Sequence, residues 1–311
     1  MGGTVRIIPT SPNLEEFEGK LATRYSQTAG ADGSNTMVQA VLNVPVIEDV
    51  LAVRGVIYKF DNSGYIDNVA ASQPSDRINT AVNDYGGFAQ DKDDRGGDEY
   101  TGFRFTSLWK PSDSLDVTLV YLQQDIDQDG WPEIDLALAG KNKQRHLNTG
   151  TRGSSSDEFL ESELEIINLV ANYAFDWGVL TSSSSWLSQD SASEQDTVFA
   201  FLSGQPYVYS NTGSHDVFVE ELRLASTFDG PLQFVSGLYY EERENDWFSR
   251  RIWSGDPALD PNPAGVIASH FDSFKTLDQL ALFGELSYSF SDELTATIGG
   301  RHFDYEKGRE T

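Results

Sequence analysis

The 311-residue chain has no cysteine, two methionines, four histidines, and only 22 basic residues against 49 acidic ones. Without cysteine there is no disulfide, no thiolate metal site and no cysteine nucleophile, and the redox compartment is left open. The formal charge of −27 argues against nucleic acid, whose phosphates attract basic surfaces. No stretch reaches the roughly 18–20 apolar residues that a membrane helix requires. The opening, MGGTVRIIPT, has Gly, Thr and Arg where a signal peptide has its apolar region. A membrane β-barrel stays open, because its strands need only about 9–11 residues of alternating hydrophobicity. The 6 Trp, 13 Tyr and 18 Phe set the chain apart from disordered acidic sequences, which lack aromatics.

Helical periodicity is scarce, and most apolar runs alternate with period two. In 277–290 one face reads Leu280, Leu282, Gly284, Leu286, Tyr288, Phe290, and the other Gln279, Ala281, Phe283, Glu285, Ser287, Ser289. That pattern suits a strand between two different solvents. About eleven such strands are expected, at 16–27, 34–46, 50–60, 98–110, 114–124, 163–175, 178–189, 215–228, 231–243, 277–290 and 294–307.

Connections after the first strand alternate in length. PVIED, KPSDS, FDWG, FDGP and SDE are tight turns, whereas 61–97, 125–162, 190–214 and 244–276 are long. A soluble sandwich has no reason to gather every long loop at one end, and such loops are uncommon in compact domains. A transmembrane barrel has short turns on one side and long loops on the other. Trp109, Phe175, Trp177, Phe228 and Phe290 lie beside the short turns, as an interfacial aromatic girdle requires. Arg54, Arg104, Glu165, Glu221, Arg223, Glu285 and Arg301 fall mid-strand and are expected to face a wet lumen. The acidity is expected to be spread over loops and lumen and to mark no single site.

GGTVRIIP at 2–9 resembles the last plug strand of TonB-dependent outer-membrane receptors, and PNLEEFEGKLATRYSQT resembles the linker and first barrel strand that follow it. GVIYKFDNSGYIDN (55–68), VEELRLAS (219–226) and LALFGELSYSFSDELTATIGGRHFDYE (280–306) resemble further barrel strands of that family. The resemblance implies an all-β fold, an antiparallel transmembrane barrel of which this chain holds about half of the family's twenty-two strands. It implies a division into residues 1–13, a remnant of plug and linker, and 14–311, the N-terminal half of the barrel. The signal peptide, the TonB-contacting box, most of the plug and the later strands are missing, which implies a fragment of a longer product. An open arc would leave two unpaired edges in hydrocarbon, so the chain alone is not expected to transport.

By the same resemblance the full protein sits in the outer membrane of a Gram-negative bacterium, touches lipid and the TonB complex, and is monomeric when complete. It would take up a scarce nutrient, a ferric siderophore first, with heme, cobalamin or oligosaccharide as alternatives. No cofactor is implied. A passive porin-like or adhesin-like barrel is the rival binding role. A secreted glycosidase is the enzymatic rival, and an apolar belt about 25 Å tall on one face of the sheet would exclude it.

Individual motifs add little chemistry. Asp125, Asp127, Asp129 and Gly130 in DIDQDGWPEID follow a calcium-loop spacing, but Leu136 stands where the bidentate Glu belongs, and Pro132 interrupts the loop. QDKDDRGGDE (90–99) reads as a solvated acidic loop. His146, His215, His270 and His302 show no metal-ligand spacing. There is no G-x-S-x-G elbow and no phosphate loop. Glu220 and Glu221, like Glu241 and Glu242, must point to opposite faces of a strand and cannot form an acid–base pair. Tyr207, Tyr209, Trp247, Trp253 and Phe271 are candidate loop aromatics for stacking on a ligand, with loop packing as an equal account.

Overall fold

In a computed structural model, residues 9–140, 142–148, 157–198, 204–261 and 269–310 are described. Each of the eleven alternating runs lies in a strand, and three short strands (β4, β5 and β8) are added: β1 (Glu18–Ser26), β2 (Asn35–Ile47), β3 (Leu51–Asn62), β4 (Ile66–Val69), β5 (Asp91–Arg95), β6 (Gly97–Ser112), β7 (Leu115–Asp129), β8 (Lys143–Gln144), β9 (Phe159–Phe175), β10 (Gly178–Asp196), β11 (Tyr207–Ser226), β12 (Leu232–Trp253), β13 (Ser269–Ser291) and β14 (Leu294–Glu310). Eleven of them form one sheet in the order β1-β2-β3-β6-β7-β9-β10-β11-β12-β13-β14. Neighbours pair antiparallel, so the sheet is an up-and-down meander with the short turns at one end.

The long strands outrun the sequence expectation at the other end. β10 reaches Asp196, β12 reaches Trp253, and β13 begins at Ser269, so much of the expected loop sequence is strand. The reason is solvent. Beyond the apolar segment both faces are wet, the alternation of hydrophobicity fades, and only the ladder of backbone hydrogen bonds continues. One helix, α1 (Asp76–Tyr85), and a small sheet in the order β5-β4-β8 also occupy the expected loops. Its start is set by the Ser75 hydroxyl, which accepts from the Ile78 amide, and its end by Gly86 at φ 68°.

Within the eleven-stranded sheet, register shifts occur beside the short turns, at Pro45/Ile47, Trp109/Ser112 and Ser289/Ser291, so its two faces can be followed across all eleven strands. One face carries Leu280, Leu282, Leu286, Leu238, Leu222, Leu169 and Leu42, all more than a third exposed. Two aromatic rows bound this apolar band. Near the short turns Phe175 stacks on Trp177 at 5.6 Å and Trp177 on Phe228 at 6.3 Å, while Tyr288 meets Phe290 edge-on at 4.8 Å. Farther along, Phe103 lies 6.3 Å from Tyr121, Trp186 lies 5.2 Å from Phe218, and Phe218 lies 6.1 Å from Tyr240. Between the rows β13 runs from Leu280 to Phe290, which for a strand tilted like those of a barrel is about 25 Å. A belt of that height on one continuous face suits a barrel wall that meets lipid.

The opposite face is polar and close-packed. Tyr58 on β3 reaches over Gly102 of β6 to donate to Gln124 Oε1 on β7 at 2.7 Å, and a Cβ at 102 would overlap the Tyr58 ring. Gly102→Val is expected to cost about 1–3 kcal/mol by overpacking. Gly55→Val, on the apolar face with nothing within 4 Å of its Cβ position, should change stability by less than about 0.5 kcal/mol. Denaturant unfolding of both variants checks this pair.

Candidate ligand-facing wall and external cap

Charge divides between the two faces. Lys20, Arg24, Arg54, Arg104, Arg223, Arg243, Arg251, Lys275, Arg301, Lys307 and Arg309 share the polar face, against Glu18, Asp98, Asp116, Glu221, Glu241 and Glu285. The apolar face, beyond its farther aromatic row, is acidic: Asp61, Glu99, Asp125, Asp127, Glu161, Glu163, Glu165, Asp190, Asp216, Glu242, Glu244, Asp278, Asp304 and Glu306. Only Lys59 and Arg250 interrupt it within the large sheet. Lys59 is paired with Glu99 at 2.7 Å, and Arg250 is paired with Asp272. The expectation of acidity spread through the lumen is therefore corrected: the polar face is predominantly basic. Glu165 is corrected with it, since it shares a face with Ile167 and Leu169, not with Arg54. The other six mid-strand charges lie on the polar face as expected.

Past the strands, residues 63–96, 130–140, 142–148, 197–198, 204–206 and 254–261 pack into one cap. Ile78, Ala81, Leu147 and Val198 form its small core. Beside that core lies a buried ionic network. His146 Nδ1 is 2.9 Å from Glu158 Oε2, and its Nε2 is 3.7 Å from Glu133. Asn68 locks the His146 backbone through two hydrogen bonds of 2.9 Å. The Asp196 amide donates to Glu158 at 2.6 Å, while the Asp196 carboxylate accepts from the Leu147 and Val198 amides at 3.0 and 3.1 Å. Arg95 pairs with Asp129 and lies 3.5 Å from Asp157, which also holds Lys92 at 2.7 Å. Between the first turn of α1 and residues 133–136 the cap has an open cleft of about 560 Å³, lined by Asp76, Arg77, Glu133, Arg145 and His146 among others.

Sequence reasoning missed this network. QDKDDRGGDE spans β5 and the start of β6; its residues 90–93 are exposed, as expected of a solvated run, but Arg95 is 3% exposed. Of the four histidines only His146 is buried, and nothing in its neighbourhood in sequence signals that. Ile78, Ala81 and Val82 at helical spacing behind a Ser cap were the available clue to α1.

The calcium-loop spacing, already broken by Leu136 and Pro132, does not form a loop; the acidic run expected as a loop is strand. Asp125, Asp127 and Asp129 lie on β7, successive members of one face about 6–7 Å apart, and do not converge. Asp129 is held by Arg95 and by Lys92 at 3.7 Å. Among the described residues no three His or acidic side chains gather as a metal site. Tyr207 and Trp253 face each other edge-on at 5.2 Å, and Trp253 meets Tyr85 of α1 at 5.6 Å, so both join β11, β12 and the cap. Tyr209 lies on the polar face opposite Arg251, and Trp247 on the same face opposite Gly213. The carboxylate pairs split as expected: Glu220 points to the apolar face, where the Ser182 hydroxyl donates to it at 2.9 Å and that of Ser184 also donates, whereas Glu221 points to the polar face.

No protein-family model and no curated protein sequence matches the chain. Solved structures do. The ferric yersiniabactin uptake receptor FyuA of Yersinia pestis is 15% identical, with 96% of this chain and 44% of the receptor covered at a TM-score of 0.66. The ferric citrate transporter FecA is 11% identical, with 97% and 39% covered at 0.67. The ferric-catecholate import receptor Fiu of E. coli is 13% identical, with 96% and 46% covered at 0.62. The fold is thus that of an antiparallel outer-membrane β-barrel, and the chain spans less than half the length of these receptors. Placed in that barrel fold, the sheet has its apolar face outward and its basic face toward the lumen.

Two expectations follow. Leu286→Arg, at the middle of the apolar band, should cost about 2–4 kcal/mol in lipid vesicles, and Ser287→Arg on the lumen face well under half of that, by equilibrium unfolding. The second concerns pH. Burial pushes the Asp196 carboxyl up to about 7, with His146 opposing and Glu158 reinforcing the shift. Burial pulls His146 down, but the Glu158 hydrogen bond and charge, then Asp196 and Glu133, leave it raised overall. A raised carboxyl stabilises the cap fully below its unfolded value and loses that stabilisation as pH rises toward 7. A raised histidine loses its share as pH rises through its folded value. Both act in one sense, so amide-exchange protection of Leu147 and Val198, corrected for intrinsic rates, should fall from pH 5 to pH 8. Asp196→Asn should remove most of that dependence.

Proposed function

We propose that this chain is part of a TonB-dependent outer-membrane receptor that takes up a ferric siderophore. The meander of eleven strands with an outward apolar belt, superposable over nearly the whole chain on receptors of that class, carries the reading. Residues 14–311 form the N-terminal half of the barrel in this proposal. Residues 1–13 form the end of the plug and the linker; GGTVRIIP lies, apart from Pro9, outside the described residues.

The physics of such a receptor is binding followed by an energised conformational change, with no bond made or broken. The lumen wall and the cap face the external ligand, and the pull of the TonB complex on the plug supplies the energy. Transport receptors as structural neighbours favour this over catalysis.

The experiment is growth of a strain lacking the encoding gene on single ferric chelates as the only iron source. One chelate is expected to fail in the deletion strain and to be restored by the intact gene, with the uptake requiring TonB. Unchanged growth on every iron source, together with a growth defect on a sugar or cobalamin source, would reject siderophore uptake.

A further inference from the structure

On the lumen face of β12, β13 and β14, past the farther aromatic row, four cations lie together. Lys275 stands directly opposite Arg309, and Lys307 opposite Leu277, which pairs in turn with Arg243. Like charges placed directly across a strand pair repel. One carboxylate, Glu241, answers Arg243. Lys307 lies 4.9 Å from the centre of the Tyr305 ring. Among the described residues Lys275 and Arg309 have no ion-pair partner.

The sequence builds this patch by strict alternation. In EERE (241–244) Arg243 faces the lumen between the outward Glu242 and Glu244. In DYEKGRE (304–310) Lys307 and Arg309 face the lumen while Asp304, Glu306 and Glu310 face out. A strand exposed to water on both faces has no packing reason to sort charge in this way. Trp247, Phe303 and Tyr305 share the lumen face and are about half exposed, offering ring surfaces beside the cations.

The geometry points to an anion-recognising patch formed by Arg243, Lys275, Lys307 and Arg309 on the lumen wall, whose ligand is a multiply anionic chelate with carboxylate or phenolate groups. Charge-assisted hydrogen bonds from the guanidinium and ammonium groups would hold it, with the flanking rings against its planar parts. For a ferric chelate this rests on the proposed function; for anion recognition alone it does not.

The test uses the intact receptor in outer-membrane vesicles. Binding is measured for ferric citrate, a ferric tris-catecholate and a ferric tris-hydroxamate, the last neutral or cationic. A preference of about tenfold or more for one of the anionic complexes is expected at low salt, shrinking as salt rises. Lys275→Gln with Arg309→Gln should erase about tenfold of that affinity, while Lys59→Gln on the outward face leaves it unchanged. Heat-dependent gel migration verifies that each variant is folded. Equal or tighter binding of the hydroxamate, or a folded double variant that binds the anionic chelate normally, would overturn the patch. Binding of an iron-free uronate oligosaccharide with the same Lys275 and Arg309 dependence, and of no ferric chelate, would support the patch and reject siderophore uptake.

Discussion

The architecture depends on one constraint: in hydrocarbon, every backbone N–H and C=O must find its partner within the protein. The antiparallel ladder satisfies it strand by strand across the eleven-stranded sheet, with register shifts confined to the short turns. Once the ladder is fixed, side chains alternate between two solvents with no freedom to choose. Leucine and aromatic residues at even positions of β13 meet lipid because the odd positions meet water, and a slip of one residue would exchange them all.

The same alternation governs charge beyond the membrane band. There the ladder continues although the apolar requirement has ended, and the strands extend well past the last lipid-facing leucine. The sheet sorts basic residues to the lumen and acidic ones outward. The large negative charge of the chain is thus a property of its outer rim and loops, and it leaves a positive inner wall. The acidic rim and the basic wall are two consequences of one pleat. The cap then closes over the long end through a different device, a buried ionic network around His146, Glu158 and Asp196 whose hydrogen bonds tie three separate segments together.

The strands were legible in the sequence wherever one face was dry. LDQLALFGELSYSF announces its faces residue by residue, and the short turns announce themselves through Pro, Gly, Asp and Ser. Legibility ended where water bathed both faces. The outer third of β10, β11, β12 and β13 carries Ser, Asn, Asp and Gln, which read as loop, although the hydrogen-bond ladder makes them strand. Glu165 was misplaced for a related reason: a lone charge at the end of an apolar run belongs to either face until the register is known. The cap was the least legible part, because His146, Glu158 and Asp196 are far apart in sequence and only the fold brings them together. Asp125, Asp127 and Asp129 show the converse case, a spacing that imitates a loop motif while lying on a strand.

The central claim is that alternate residues of one continuous sheet face lipid and water. Because the chain has no native cysteine, single cysteines at 279 through 290 can each carry a spin label without background. In reconstituted receptor the even positions from 280 to 290 should be relaxed by oxygen dissolved in the bilayer, and the odd positions by a water-soluble nickel chelate, with a period of two throughout. Uniform accessibility to the water-soluble reagent at all twelve positions would contradict the account.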